Sequence, residues 1–230
     1  MSVLEAATEF VHEHMSHTDV PRAKRIYRYR HCLRVAAIGR NVALSEGLDA
    51  DRLELACLLH DIGKFDSTWH VDHGRAGAKI VRPFLKKQGL DTEAIEEICQ
   101  GIAMHTDGRW NYPPESPDYR GIEDYAHEPS MLARSVGDCD NIDRFSAYRI
   151  HDTLVYRRFD RMTLQHQLDF CVSYRQRLKR EGHYECATRS AQRLWVEALE
   201  RQEAYFAQLE REMRAGLPYE QRRTHHRHRK

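Results

Sequence analysis

Several features are scarce in this 230-residue chain, and each scarcity removes a class of protein. No apolar run approaches the ~20 residues that span a bilayer, so no membrane-embedded segment is expected. No segment sustains the alternation of apolar and polar residues that a half-buried strand requires. Net charge is almost absent: 36 Lys and Arg stand against 35 Asp and Glu. A nucleic-acid coat protein would carry a clear basic excess, so no nucleic-acid partner is expected. The cysteines Cys32, Cys57, Cys99, Cys139, Cys171 and Cys186 form no C-x-x-C pair and mostly sit among apolar neighbours. They read as reduced, buried thiols rather than a zinc ribbon or a disulfide framework. No secretory leader is expected either. Glu5, Glu9 and Glu13 stand among Val3, Leu4, Phe10 and Val11, which is an amphipathic helix pattern and not the apolar centre of a signal. The expected location is the cytoplasm.

What the sequence does contain is helical periodicity. Helices are expected over 31–46, 50–62, 74–88, 92–105 and 129–150, and two long ones over 153–214, broken near Gly182. Gly47-Leu48-Asp49 and Gly89-Leu90-Asp91 repeat one punctuation, a glycine closing one helix and an aspartate capping the next. After each, a histidine (His60, His105) lies near the end of the helix, in phase with its apolar stripe. Residues 106–128 break the rhythm. Pro113, Pro114 and Pro117 lie there among Trp110, Tyr112, Tyr119 and Tyr125, and the segment reads as an ordered flap over a site. The expected fold class is all-α: a helical bundle over 1–150, a C-terminal helical extension over 151–216 packed on it, and a basic, unstructured tail over 217–230. Charge follows the same division, with 19 basic and 24 acidic residues in 1–150 against 17 and 11 in 151–230. The tail gathers Arg222, Arg223, Arg227, Arg229 and Lys230 among His225, His226 and His228.

The chemistry concentrates in Leu58-Leu59-His60-Asp61-Ile62-Gly63-Lys64. A histidine and an aspartate at the end of an apolar helix are costly to bury without a partner. A divalent metal supplies one, taking imidazole nitrogen and carboxylate oxygen as ligands. Further candidates at bundle-facing positions are His31, His73 (with His70 an alternative three residues earlier), His105, and one of Asp138, Asp140 and Asp143. His12, His14, His17 and the tail histidines read as surface residues.

The order His31, His60-Asp61, Asp140 resembles the HD-domain superfamily of metal-dependent phosphohydrolases over about residues 25–150. The segment Gly137-Asp138-Cys139-Asp140-Asn141-Ile142-Asp143 is similar to that family's closing motif, and the resemblance selects Asp140 as the ligand. His73 with Gly77, and His105 with Thr106 and Gly108-Arg109, resemble its six-ligand, two-metal branch. That branch includes symmetrical dinucleoside-tetraphosphate hydrolases and, more distantly, cyclic-dinucleotide phosphodiesterases, whose GYP motif is absent here.

The resemblance implies an HD-domain bundle holding one or two divalent ions, with Mn, Fe, Co, Ni, Mg and Zn all compatible. His31, His60, Asp61 and Asp140 would hold one ion, His73 and His105 the second, and Asp61 would bridge. Such ions generate a nucleophilic water near neutral pH. Lys64, one short turn past the doublet, is a candidate to neutralise a phosphate oxygen, and Arg75 and Arg109 are further substrate-binding candidates. The expected activity is hydrolysis of a nucleotide or other small phosphoester or phosphoanhydride, and a homodimer is compatible with the chain. Two other readings use the same residues: an HD-fold diiron oxygenase, and a non-catalytic nucleotide-binding module.

Overall fold

The computed structural model describes residues 1–16, 19–66, 73–112, 115 and 125–227. His17, His70, Pro113, Pro114, Pro117, Tyr119 and residues 228–230 lie outside the described residues. Regular structure within them is nine α-helices and two short 3-10 turns, with no strand, so the all-α class holds. No helix among them is long and apolar enough to cross a membrane. All six cysteines are free thiols, and all but Cys186 are buried.

By contacts the chain divides into two compact units. One is Met1–Asp143 with Cys186–Gln192, and the other is Arg144–Glu185 with the chain from Arg193 onward. The division falls before the expected boundary at 150 because the helix expected over 129–150 is interrupted. It ends at Arg144, Ser146 is extended (φ −64°, ψ 164°), and a new helix starts at Ala147.

The first unit carries α1 (Val3–His14), α2 (Arg22–Glu46), α3 (Ala50–Leu59), α4 (His73–Lys87), α5 (Thr92–Met104) and α6 (Met131–Arg144). A capping box opens α1: Ser2 Oγ accepts from Glu5 N at 3.2 Å, and the Glu5 carboxylate accepts from Ser2 N at 2.7 Å. α2 begins well before residue 31. Its first turns, rich in Arg and Lys, present no apolar stripe from which periodicity could place a start. The repeated punctuation is present. Gly47 (φ 68°) and Gly89 (φ 81°) are left-handed, and Asp49 and Asp91 cap α3 and α5 through Arg52 N (2.9 Å) and Ala94 N (2.7 Å). α3 packs on α2 and α5, and α4 on α5, around the fully buried Val35, Leu53, Leu59, Ile98 and Ile102.

Two glycines decide how closely the elements meet. α3 stops at Leu59 rather than 62, and the chain tightens into a 3-10 turn at Ile62–Phe65. A Cβ on Gly63 in that turn would strike the backbone of Gly77 and His73. A Cβ on Gly74 would lie 2.6 Å from Ala103 O and 2.7 Å from Ile102 O. These backbone approaches draw together the segments carrying Asp61, His73 and His105. Gly74→Ala is expected to destabilise the unit by about 1–3 kcal/mol, because backbone and not a flexible side chain must give way. Urea unfolding of the variant against wild type checks this, and an unchanged midpoint would contradict it.

The second unit carries α7 (Ala147–Tyr156), a 3-10 turn (Phe159–Arg161), α8 (Leu164–Glu181) and, from Arg193, most of α9 (Arg189–Arg227). Ile150, Cys171 and Phe206 form its core, with Leu154, Phe159, Phe170, Tyr174, Leu209 and Met213 packed on them. α8 ends at Gly182, where the break between the two long helices was expected. α9 continues over 217–227, where an unstructured tail was expected. Residues such as Glu220, Gln221, Arg222 and Arg223 are good helix formers and extend a helix already nucleated.

Candidate metal centre

His60 and His105 are held in the same way. Each occupies the C-cap position of its helix, and its Nδ1–H donates to the carbonyl three residues back: Cys57 O at 2.7 Å for His60, Ile102 O at 2.6 Å for His105. The helix end thus fixes the tautomer, and each Nε2 presents a lone pair away from the backbone. The two rings meet edge to face with centroids 4.9 Å apart. Facing them are two further imidazoles. His31 Nε2 lies 3.3 Å from His60 Nε2, and His73 Nε2 lies 3.2 Å from His105 Nε2.

Asp61 stands between these pairs, one oxygen toward each. Oδ1 is 2.9 Å from His73 Nε2 and 3.7 Å from His105 Nε2, while Oδ2 is 3.5 Å from both His31 Nε2 and His60 Nε2. Asp140 Oδ1 joins the second group at 3.0 Å from His31 Nε2 and 3.7 Å from His60 Nε2. All six candidate ligands therefore gather in one place. Atoms within 4.8 Å of one another form three overlapping triads: His31, His60 and Asp61; His60, His105 and Asp140; Asp61, His73 and His105.

The neighbouring aspartates do other work. Asp143 accepts from His31 Nδ1 at 2.7 Å and is clamped by Arg34 through Nε (2.8 Å) and Nη2 (2.9 Å). It orients His31 as a carboxylate orients a metal-bound imidazole. Asp138 is turned away and accepts from Ala187 N at 2.8 Å. Asp143→Asn is expected to weaken metal binding 10- to 100-fold, roughly the worth of such an outer partner, without moving the ligands. Metal titration with a chelating dye reads the change, and unaltered affinity would refute the role.

Lys64, Arg75 and Arg109 reach different surroundings. Lys64 Nζ lies 3.5 Å from His73 Nδ1, on the far side of that ring from Asp61. Arg75 is buried and turned toward the segment after His105. Its guanidinium stacks 3.6 Å over the Tyr112 ring and donates to Arg109 O at 3.1 Å. Arg109 is exposed and meets Arg75 through its carbonyl. Arg75 thus ties the start of α4, with His73, to the segment that follows His105. Sequence reasoning missed Arg28, which donates to Asp61 Oδ2 from one turn before His31. Its spacing of three from His31 was the available signal, as was the spacing of three between Asp140 and Asp143.

The electrostatics are those of a site built for cations. Burial alone would raise the Asp61 carboxyl; Arg28, then His60, outweigh it and hold Asp61 well below the usual carboxylate range. Burial would raise Asp140 too, and hydrogen bonds from His31 and His60 hold it well below. Burial pushes His31 down, yet its bonds to Asp140 and Asp143 carry it up to about 9.

A profile of the HD domain matches residues 28–148, more than half of the chain. The chain belongs to the HD-domain family. A crystal structure of a predicted HD superfamily hydrolase from an uncultured Thermotogales bacterium has the same fold, with a TM-score of 0.60 at 18% identity over 94% of both chains. The HD domain is the fold of a family of metal-dependent hydrolases, and divalent metal binding follows from membership.

The residues of this HD-domain protein fit such an ion. Two imidazoles whose other nitrogen is committed to a carbonyl offer only lone pairs inward. Two ionised carboxylates share the same buried space, and nitrogen with carboxylate oxygen suits a first-row divalent cation. Ion binding must displace the proton on His31. The metal-free chain therefore gains stability from that proton in full below the ordinary value of 6.5, and loses it as pH rises through about 9. Metal affinity is expected to rise over the same interval. Melting temperatures with and without Mn²⁺ across this range check both signs, and parallel curves would contradict them.

Proposed function

We propose that this protein is a metal-dependent phosphohydrolase acting on a small phosphorylated metabolite, with a nucleotide the expected class. The observation that carries the reading is Asp61, whose two oxygens face two separate imidazole groups, the disposition a carboxylate needs to serve two ions. His31, His60 and Asp140 would complete one ion's shell, and His73 and His105 would belong to the other. Bound ions supply an activated water near neutral pH and Lewis-acid stabilisation of phosphoryl charge.

The chain's own groups do the rest. Arg28 brings a guanidinium to the edge of the cluster, where a substrate's phosphoryl oxygens can take bidentate hydrogen bonds from it. Lys64 bears on His73 from outside and adds positive charge beside the second ligand group. Asp143 and Arg34 fix the His31 ring. Arg75 holds the segment after His105 against the start of α4, and Arg109 on that segment is the remaining candidate for phosphate contact.

The test is a screen of phosphorylated metabolites against Mn²⁺-, Co²⁺- and Ni²⁺-loaded protein, with released phosphate measured and metal counted by mass spectrometry. Phosphate release at a metal content of two supports the proposal. An iron pair that consumes dioxygen without releasing phosphate would replace it with the oxygenase reading. A nucleotide-induced rise in melting temperature without turnover under any metal would leave a binding module.

A further inference from the structure

Two arginines of α2 touch carboxylates at the centre, and they hold them differently. Arg34 grips Asp143 with two donors, Nε at 2.8 Å and Nη2 at 2.9 Å. Asp143 in turn accepts from His31 Nδ1, so this arginine fixes a group behind a ligand and not a ligand itself. Arg28 gives its carboxylate a single donor, Nη1, and that carboxylate is Asp61. Its side chain is 21% exposed, whereas that of Asp61 is 2% exposed. Arg28 Cζ also lies 5.7 Å from the centroid of the Tyr27 ring, within reach of a cation–π contact. The guanidinium therefore has water and an aromatic face beside it, and can leave Asp61 without being stranded.

The bond from Arg28 goes to Oδ2, the oxygen that lies 3.5 Å from both His31 Nε2 and His60 Nε2. A divalent ion held by those two imidazoles would claim the same oxygen. Two cations that draw on one oxygen repel each other, and each withdraws the electron density the other needs. Outer partners that make a ligand more basic tighten a metal, as Asp143 does through His31. By the same rule a guanidinium on a ligating carboxylate loosens it. Asp143 and Arg28 therefore pull metal affinity in opposite directions.

We propose that Arg28 is a positioning residue that couples metal to anion: it opposes the ion on the His31 side of Asp61, and a phosphoryl group that draws its guanidinium off Oδ2 relieves the opposition. Metal alone is then held below the affinity its ligands could give, and metal with anion is held more tightly. The coupling is reciprocal, so the ion strengthens anion binding by the same factor. The identity of the anion rests on the phosphohydrolase reading, whereas the opposition between Arg28 and the ion needs no substrate.

The test is the free Mn²⁺ concentration that half-fills the protein, read by competition with a chelating dye, with and without saturating inorganic phosphate. Wild type is compared with Arg28→Met and Arg28→Gln, which lose the charge, and with Arg28→Lys, which keeps it. Thermal melts select the variants that are folded. Without phosphate, the neutral variants are expected to bind Mn²⁺ about tenfold more tightly than wild type, and Arg28→Lys to stay within about twofold of it. With phosphate, wild type is expected to gain at least about fivefold and the neutral variants less, because only the ions then attract the anion. Neutral variants that bind Mn²⁺ as wild type does, or more weakly, overturn the proposal, since an arginine with a purely structural role gives that result. An equal gain from phosphate in wild type and neutral variants overturns it too, as does an Arg28→Lys protein as tight as the neutral pair. Turnover of phosphorylated compounds is scored separately. If the coupling behaves as expected and no compound is hydrolysed, the coupling stands and the hydrolase reading fails. If phosphate is released but the neutral variants bind Mn²⁺ no more tightly than wild type, the reverse holds.

Discussion

Replacing Asp61 with alanine is expected to strip bound metal from this protein and, on the proposed phosphohydrolase reading, to lower turnover by roughly three orders of magnitude. The size follows from the several kcal/mol that metal ions would contribute to the proposed phosphoryl transition state, at about 1.36 kcal/mol per tenfold in rate. Asp61 faces both ligand groups, with Oδ1 toward His73 and His105 and Oδ2 toward His31 and His60. Loss of either histidine pair would leave the other with Asp61, whereas loss of Asp61 leaves His73 and His105 without the carboxylate they share and His31 and His60 with Asp140 alone. Removing one partner of a buried ion pair is often destabilising, and Arg28 is the partner here. Arg28 is 21% exposed, however, so its guanidinium can turn to water when the carboxylate is gone. The variant is therefore expected to keep its helical circular dichroism while its metal content falls to near zero. Asp61→Asn, which retains the shape and one acceptor oxygen, is expected to lose metal equally because it lacks the charge. A folded Asp61→Ala protein that still turns over substrate would sink the assignment of the centre.

Much of this centre was legible in the chain because its signals are local. His60-Asp61 is a doublet after an apolar helix, and the glycine–aspartate punctuation before α3 and α5 announces two helices that each end in a histidine. What could not be read locally was the convergence. His31 and Asp140 lie far apart in sequence, and their meeting depends on α2 and α6 bringing them to the same cluster. Gly63 and Gly74, whose bare backbones let the 3-10 turn, α4 and α5 close on one another, leave no periodic trace. The choice of Asp140 over Asp138 and Asp143 came from the family resemblance and not from any local rule. Adjacent positions on one helix send Asp138 to Ala187, Asp143 to His31 Nδ1 and Asp140 to the cluster. The early start of α2 was hard to read for a physical reason: Arg and Lys dominate Arg22–Arg30, and Ala23, Ile26, Tyr27 and Tyr29 are too few among them to carry a clear stripe. Arg75 is a substrate-binding candidate on its charge alone, which says nothing about direction; its guanidinium stacks on Tyr112 and donates to Arg109 O.

His105→Ala divides the centre where Asp61→Ala abolishes it. His105 lies nearest to His73 Nε2 (3.2 Å) and Asp61 Oδ1 (3.7 Å), and it also shares a triad with His60 and Asp140 within 4.8 Å. Its loss removes one of the three donors in the group of Asp61, His73 and His105, and leaves His31, His60, Asp61 and Asp140 in place. The expected protein holds one ion where wild type holds two, and its turnover falls by about 100- to 1,000-fold, since one source of several kcal/mol of charge stabilisation is lost and one is kept. His31→Ala should do the opposite, emptying the other position and leaving Asp143 and Arg34 paired without a ring to orient. Metal counting on the two variants separates a dinuclear from a mononuclear centre without reference to any substrate. One ion in wild type and one ion in His105→Ala would show that His73 and His105 are not ligands of a second metal. The wild type holding two and each variant holding one would place the two ions on the two sides of Asp61, as its carboxylate oxygens already face.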